Sequence, residues 1–490
     1  MQHKAKHTHH HHAVVESDAG KTTHRWLLPV LLVAQLMVIL DITAVNIALP
    51  HSATDLRLSG SKISWTITSY SLIFGSLLLF GGRAADLLGR RRMFVAGLSI
   101  FTASSFASAM AASAAALFAA RAGQGLGAAM LSPAALSIIT ASFHGHRRAK
   151  ALAAWGAIGG AGAAIGVMVG GVLTQFTDWR TIFYVNLPVA AVLLVVSLKT
   201  VPADTQKPRW RGLDLPGAAL ATTSLAAIVY GITQADSAGW TSIQTHLCGL
   251  GGLGGLAAFA VYERRIDAPL LRVGRIADRA VGGGLVLMLA TAGSIFGLFL
   301  LCSLYLQNVL GMGPLATGLA FVPLALSAGI GSHAAGHVVA RHGVRGPLVG
   351  AFAVAAVGLF LLSRVGESGS YLADVLPGML ISGVALGVAT VSVSMAILTG
   401  ARREESGMIS GLNSTGHEIG GTLGIAIFST ISAGASGAII GPEAAAGIGR
   451  AFLVAALLAT LAGVVALAVL PRAQHFLVRL RLDPQALPVH

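Results

Sequence analysis

Apolar runs about 20 residues long recur along this chain, the length an α-helix needs to cross the hydrocarbon layer of a bilayer. Fourteen runs fall into blocks of six, two and six: 26–49, 64–80, 93–110, 112–142, 151–176 and 182–198, then 215–233 and 243–261, then 280–306, 315–333, 347–362, 372–398, 410–432 and 451–470. The ten-residue alternating segments of an outer-membrane barrel do not recur. The sequence therefore predicts an all-α polytopic membrane protein. Only 11% of the 490 residues are charged, against roughly 25% in soluble domains. That is too little polar surface for a soluble chain of this length, and a disordered or fibrous chain would not carry such long apolar runs.

The basic residues give the orientation. Arg57, Lys62, Arg180, Arg364 and Arg450 fall on one side of the predicted spans and Arg121 lies inside one, which leaves 27 of the 33 Lys and Arg on the other side. Cytosolic loops carry such an excess, so both termini are expected in the cytosol. The net charge of +14 then reads as topology and not as affinity for nucleic acid. The expected organisation is a His-rich cytosolic tail at 1–25, a six-helix bundle at 26–198, a linker with two extra helices at 199–279, a second six-helix bundle at 280–470 and a cytosolic tail at 471–490. The polar first 25 residues and the long first run give no cleavable signal. His3, His7 and His9 to His12 read as a flexible tail or a tag outside the mechanism. Cys248 and Cys302 are too few for a disulfide framework or a metal cluster, and no metal site is expected.

The two six-helix blocks look related. Gly82 and Gly89 flank the loop after the second run, and Gly336 and Gly343 flank the loop after the tenth at an offset of 254. Arg147 and Arg148 answer Arg402 and Arg403 at an offset of 255. Duplicated blocks are the trace of a two-halved transporter with its binding site between the halves.

Charges deep in a span are costly and usually functional. Outside loops and tails three remain: Asp41, Arg121 and Glu418. Asp41 lies nine residues before Pro50 and Arg121 nine after Ala112, so both sit roughly 13 Å below the outer surface at a rise of 1.5 Å per residue. Equal depth permits an ion pair, which is either a permanent structural bridge or a proton-responsive pair facing a cavity. Arginine does not deprotonate, so a mobile proton must use the carboxylate. Glu418, beside His417, either lies buried with raised proton affinity or, if the helix begins later, touches cytosolic water. His333 and His337 read as interfacial. In the fifth run Gly162, Gly166 and Gly170 recur every four residues, a stripe that lets two helices approach backbone to backbone. Gly249, Gly251 and Gly254 make a formal GxGxxG within a span, with no strand before it, and no GxxxxGK[ST] or HExxH occurs. ATP is not the expected energy source, and no nucleophile, base and orienter set points to an enzyme.

Several segments resemble the major facilitator superfamily. The loop Gly82-Arg-Ala-Ala-Asp86-Leu-Leu-Gly89-Arg90-Arg91-Arg92 is similar to its signature between the second and third helices. Leu40-Asp41-Ile-Thr43-Ala-Val-Asn46-Ile-Ala-Leu-Pro50 resembles the first-helix motif of its 14-spanner drug:proton antiporters, the type of quaternary-ammonium efflux pumps and actinomycete antibiotic exporters. Arg121-Ala-Gly-Gln124-Gly125-Leu-Gly127 is similar to the fourth-helix motif, and Trp179 to Pro188 and Gly411-Leu-Asn413 also look like segments of that family. Three departures stand out. Val167 follows Gly166 where the antiporter motif has proline, His417-Glu418 stands where the family often has a basic residue and a glutamine, and Ala340 replaces the second-half signature aspartate.

The resemblance implies two rocking six-helix bundles with Gly82, Asp86, Gly89, Arg90 and Arg91 as a gating loop. Asp41, Arg121, Glu418, Asn46, Gln124 and His417 are the implied proton-coupling and cavity residues. It further implies proton-driven export of small amphipathic or cationic drugs from a bacterial cell (plasma) membrane, with protons as coupling ion, no cofactor, a lipid bilayer as surroundings and a monomeric state. Transport of one specific metabolite, or a membrane sensor without transport, are the alternatives.

Overall fold

The computed structural model describes residues 25–470 apart from 59, 205–206, 211, 268, 400–405 and 435–443. The His-rich segment 1–24, the end segment 471–490, and Arg402 and Arg403 lie outside the described residues. All regular structure among the described residues is helical.

The first block contains α1 (Leu27–Asp55), α2 (Trp65–Leu88), α3 (Arg90–Ala109), α4 (Ala114–Ser142), α5 (Gly145–Phe176), α6 (Thr181–Tyr184) and α7 (Asn186–Thr200). A hairpin follows, α8 (Leu215–Ala238) and α9 (Ile243–Glu263). The second block contains α10 (Arg279–Leu304), α11 (Pro314–Ala320), α12 (Val322–His342), α13 (Arg345–Leu362), α14 (Leu376–Thr399), α15 (Ser406–Gly434) and α16 (Ala444–Val469). Each apolar run read from the sequence is helical over most of its length. Among the described residues, eleven helical stretches are long and apolar enough to cross a membrane by length and composition. The runs 93–110, 151–176 and 410–432, on α3, α5 and α15, are outside those eleven.

Two runs are broken by proline. Asn186 opens α7 two residues before Pro188, and α12 starts with Pro323 in its first turn. A proline lacks the N–H that continues a helix but fits its first turn. The first helix behaves otherwise. Its apolar run ends at Leu49, yet α1 continues through Pro50 to Asp55. Proline leaves the carbonyl four residues back without its helical donor, and that carbonyl, of Asn46, accepts the Ser303 hydroxyl of α10 at 2.9 Å. The bond lost inside α1 is replaced by one between the two blocks. Pro133 acts similarly inside α4. The carbonyl it leaves without a donor belongs to Ala129, and Gly81 of α2 fits over it so closely that an added Cβ would lie 1.9 Å from that oxygen.

Within the first block α2 and α3 pack on α4, and α1 packs on α5; within the second α10 packs on α15, and α14 on α12 and α13. The blocks meet along two seams, α2 with α15 and α5 with α11. At the second, added Cβ atoms on Gly171 and Gly318 would lie 2.7 Å from the Pro314 carbonyl oxygen and 2.9 Å from that of Val167. Val167, which stands where the antiporter motif has proline, is therefore part of this close seam. The α8–α9 hairpin rests on the first seam, where Leu225 and Val229 pack with Leu72 and Ala426, and Thr430 donates to the Ile232 carbonyl at 3.2 Å. Its far side is apolar and open, with Leu247 and Leu250 65% and 66% exposed. Such a face suits lipid and not water.

The reading that only three charges are interior needs correction. Asp214 and Glu263, placed in loops by the run boundaries, are both buried at the base of the hairpin. Asp214 caps α8 by accepting from the Gly217 amide at 2.8 Å, and Glu263 accepts from the Leu271 amide at 3.1 Å. The helices extend past their apolar cores, and the chain folds back over their ends.

Candidate functional site

Arg121 and Asp41 form a buried ion pair, and both side chains have no exposed surface. α4 carries Arg121 and Gln124 one turn apart, so the two reach into the same space. Arg121 Nη1 donates to Asp41 Oδ2, and at 2.9 Å to Gln124 Oε1; its Nε donates to the Thr66 carbonyl of α2 at 3.0 Å. Gln124 Nε2 donates to Asp41 Oδ1 at 2.9 Å and to Ser105 Oγ of α3 at 2.7 Å, while the Ser108 hydroxyl donates to Gln124 Oε1 at 3.0 Å. Asn186 Nδ2 of α7 donates to the same Asp41 Oδ1 at 3.0 Å and to Ser105 Oγ at 2.9 Å. The guanidinium lies over the Tyr70 ring at 4.5 Å and near the Phe183 ring at 5.6 Å. Both charges are thus desolvated but hydrogen-bonded from several sides, the condition under which a buried pair is tolerated.

Five helices, α1, α2, α3, α4 and α7, meet at this cluster. The chemistry available to it is narrow. Arg121 keeps its charge, the amides and hydroxyls only donate and accept, and Asp41 is the member able to take up a proton. Asn186, Ser105 and Ser108 are not among the site residues read from the sequence. A polar residue in an apolar run is the signal that marks Asn186; serines are too common in these helices to stand out.

The remaining expected residues are placed elsewhere. Asn46 lies within α1 but turns its amide to the Ile42 carbonyl at 3.1 Å and makes no bond to Asp41. Glu418 and His417 lie on α15 in the other block. α15 begins at Ser406, earlier than the apolar run, so Glu418 stands well inside the helix, which removes the alternative of a later start. Its side chain is 13% exposed, His417 Nδ1 lies 3.5 Å from its Oε1, and its Oε2 is buried without a hydrogen-bond partner. The His417 ring packs edge-on to Phe296 at 5.5 Å. Across the seam, an added Cβ on Gly75 of α2 would lie 2.7 Å from Glu418 Cβ, so this glycine lets α15 approach at Glu418.

The glycine stripe of α5 meets α1 beside the cluster. Added Cβ atoms on Gly162, Gly166 and Gly170 would lie 3.1 Å from Ile39 Cγ2, 1.9 Å from Thr43 Oγ1 and 2.7 Å from Ala44 Cα. In the loop after α2, Gly89 has φ of +112°, a conformation that favours glycine. Asp86 lies 3.8 Å from Arg90 in an exposed i,i+4 pair. The carboxylate that caps α3 is instead Asp204, beyond α7, which accepts from the Arg91 and Arg92 amides at 3.1 and 3.0 Å. Arg91 also donates to the Leu198 carbonyl. A Cβ on Gly89 would come within 2.4 Å of the Asp204 carboxylate, so Gly89 serves both the turn and this approach. Gly82 is in looser surroundings, with only Pro133 within 3.8 Å of an added Cβ.

Residues 31–425 match the Major Facilitator Superfamily. The chain is 39% identical over 433 residues to the puromycin resistance protein of Streptomyces alboniger, covering 87% of this chain and 86% of that one. It is 35% identical over 410 residues to the cephamycin export protein of Amycolatopsis lactamdurans, covering 82% and 84%. Against a multidrug resistance protein of Mycobacterium tuberculosis it is 33% identical over 408 residues, covering 83% and 75%. Among solved structures it resembles a peptide transporter crystallised with sulfate, at a TM-score of 0.66 and 16% identity over 94% of this chain and 96% of that one. It also resembles a bacterial homologue of the human lysosomal transporter Spinster, at a TM-score of 0.64 and 17% identity over 94% and 98%. With the helical runs, the two helix blocks and these matches together, the chain belongs to the major facilitator superfamily and is a multi-pass transporter of the bacterial plasma membrane.

Proposed function

We propose that this transporter is a proton-driven exporter of small amphipathic compounds, antibiotics among them, working by alternating access. The names of the relatives support export: two are resistance proteins and one an export protein. The reading takes all fourteen runs as spans with both ends cytosolic, and a monomer in lipid as the working unit. Residues 26–198 and 280–470 act as the two rocking bodies, and the helices of 199–279 ride on their seam.

The observation that carries the coupling is Asp41. It is the one proton-exchanging group in a buried network that ties five helices of the first block. Protonation cancels the charge Arg121 is paired with, so the bonds from α4 and α7 that converge on this carboxylate weaken together. A cationic or polar compound offers Arg121's partner a competing charge or dipole, and proton and cargo then exclude each other. Each elementary charge moved down 100 mV supplies about 2.3 kcal/mol, and a pH gradient adds to it. Glu418, with its unpartnered oxygen on the opposite block, is the second place for a proton or a cationic cargo. The loop of Gly82, Asp86, Gly89, Arg90 and Arg91 acts as a latch at the cytosolic ends of α2 and α3. The test is Asp41→Asn in everted vesicles energised for proton-driven uptake, with ethidium and puromycin as probes. We expect the variant to insert and to lose protonophore-sensitive accumulation. Accumulation at the wild-type rate would overturn the assignment.

A further inference from the structure

Far from the Asp41 cluster, the end of α13 and the start of α16 flank an open recess of about 280 Å³. Phe360, Ser363, Arg364, Gly449, Arg450 and Leu453 line it. Its floor is a close backbone contact, since a Cβ on Gly449 would lie 2.9 Å from the Ser363 carbonyl oxygen. Both arginines are solvent-exposed, and among the described residues neither guanidinium makes a hydrogen bond or an ion pair. They are two of the five basic residues on the membrane face opposite the arginine-rich loops, so a general excess of positive charge does not account for their meeting here.

Each arginine also heads an apolar stripe. On α16, Arg450 is followed at helical spacing by Leu453, Leu457, Leu461 and Val464, which are 41%, 62%, 56% and 57% exposed. On α13, Arg364 is preceded by Leu361, Val357 and Val354, exposed by 39%, 55% and 45%. The two helices pack against each other, so the stripes run side by side from the arginine cavity down the face turned to lipid. A cationic recess that accepts an anion, above a groove that accepts hydrocarbon, matches one amphipathic molecule. Arginine's fork of donors suits a phosphate oxygen pair, and the apolar stripes suit acyl chains.

We propose that this recess binds the phosphate headgroup of an anionic membrane lipid, with its chains lying along the α13–α16 groove. The ligand belongs to the membrane and not to the transport path, and it holds the ends of α13 and α16 together on the sparsely charged face.

The test uses the full-length protein in a neutral detergent, reading its apparent melting temperature while phosphatidylglycerol, phosphatidylcholine of the same chains, or inorganic phosphate is added. Phosphatidylglycerol should raise it saturably and the other two should not. R364Q/R450Q should weaken the phosphatidylglycerol response about thirtyfold, taking about 1 kcal/mol for each arginine near a lipid phosphate. Ala446 also lines the recess, so Ala446→Phe keeps both charges but fills the space, and should abolish saturation even if the double variant folds poorly. R57Q/K62Q, on the same membrane face in the other block, should respond as wild type. An equal effect of inorganic phosphate would overturn the lipid in favour of a free-anion site. A response retained by both recess variants, or lost in R57Q/K62Q, would overturn the site.

Discussion

Asp41 in the first block and Glu418 in the second both stand inside long apolar helices, yet their oxygens are treated differently. Asp41 has both oxygens occupied, by Arg121 on one side and by Gln124 and Asn186 on the other. Glu418 has one oxygen beside His417 and the other buried with no partner. The first carboxylate is stabilised as an anion by geometry. The second gains nothing comparable from being charged. Changing the first carboxylate therefore disturbs a network of five helices, and changing the second disturbs only its contact with His417.

The largest loss of stability is expected where the Asp41 network is cut. Removing one partner of a buried pair costs about 3–5 kcal/mol, because the other charge is left uncompensated. The two ways of cutting it are not equivalent. Arg121→Leu leaves a carboxylate that escapes by taking a proton, whereas Asp41→Leu leaves a guanidinium that cannot lose one. Asp41→Leu should therefore lower the apparent thermal stability of purified protein more than Arg121→Leu, with the former near the upper end of that range. The double variant should be more stable than either, since apolar replacement of a whole buried pair is often neutral. A double variant less stable than both singles would show that the hydrogen bonds to Gln124 and Asn186, and not the pair, hold the cluster.

This pair was legible because charge is rare in these helices and helical rise converts sequence distance into depth. Asp41 and Arg121 stand out at once, and counting nine residues from Pro50 and nine from Ala112 puts them level. Gln124 is implied by the resemblance of segment 121–127 to the family's fourth-helix motif. The other contributors were not legible. Ser105 and Ser108 differ in nothing from other serines of α3 until α3 is known to pack on α4. Asp204 reads as an ordinary linker acid, and only the fold carries it 112 residues back along the chain to the start of α3. Helix ends were the least legible part of the fold. Apolar runs stop where side chains leave the lipid, but backbone hydrogen bonding continues, which is how α1 passes Pro50 and how Asp214 and Glu263 came to be buried.

Smaller effects separate Asp86 of the signature loop from Asp204, which reaches that loop from beyond α7. Asp204 satisfies two first-turn amides of α3, and losing such a cap costs about 1 kcal/mol. Asp86 makes only the exposed pair with Arg90, a contact of about 0.3–0.5 kcal/mol on helices. Asp204→Ala should thus lower thermal stability measurably and Asp86→Ala hardly at all. If Asp86 is the moving part of the latch, Asp86→Ala should still slow transport. A stability loss for Asp86→Ala equal to that for Asp204→Ala would place both in one structural cap.

The smallest expected stability change is at Glu418, and there the contrast with Asp41 is sharpest. Glu418→Gln keeps shape and removes no strong ion pair, so the stability of the purified protein, followed by thermal melting, should stay within about 0.5 kcal/mol of wild type, the range of substitutions that break no named stabilising feature. Transport should respond differently from stability. If Glu418 serves cationic cargo, efflux of ethidium should fall several-fold while efflux of an uncharged probe such as chloramphenicol is retained. If it carries a coupled proton, both should fall, and the pH dependence of uptake into everted vesicles should flatten. A variant with wild-type transport of both probes would leave Asp41 alone in the role, and the second block would then contribute surface without a charge of its own.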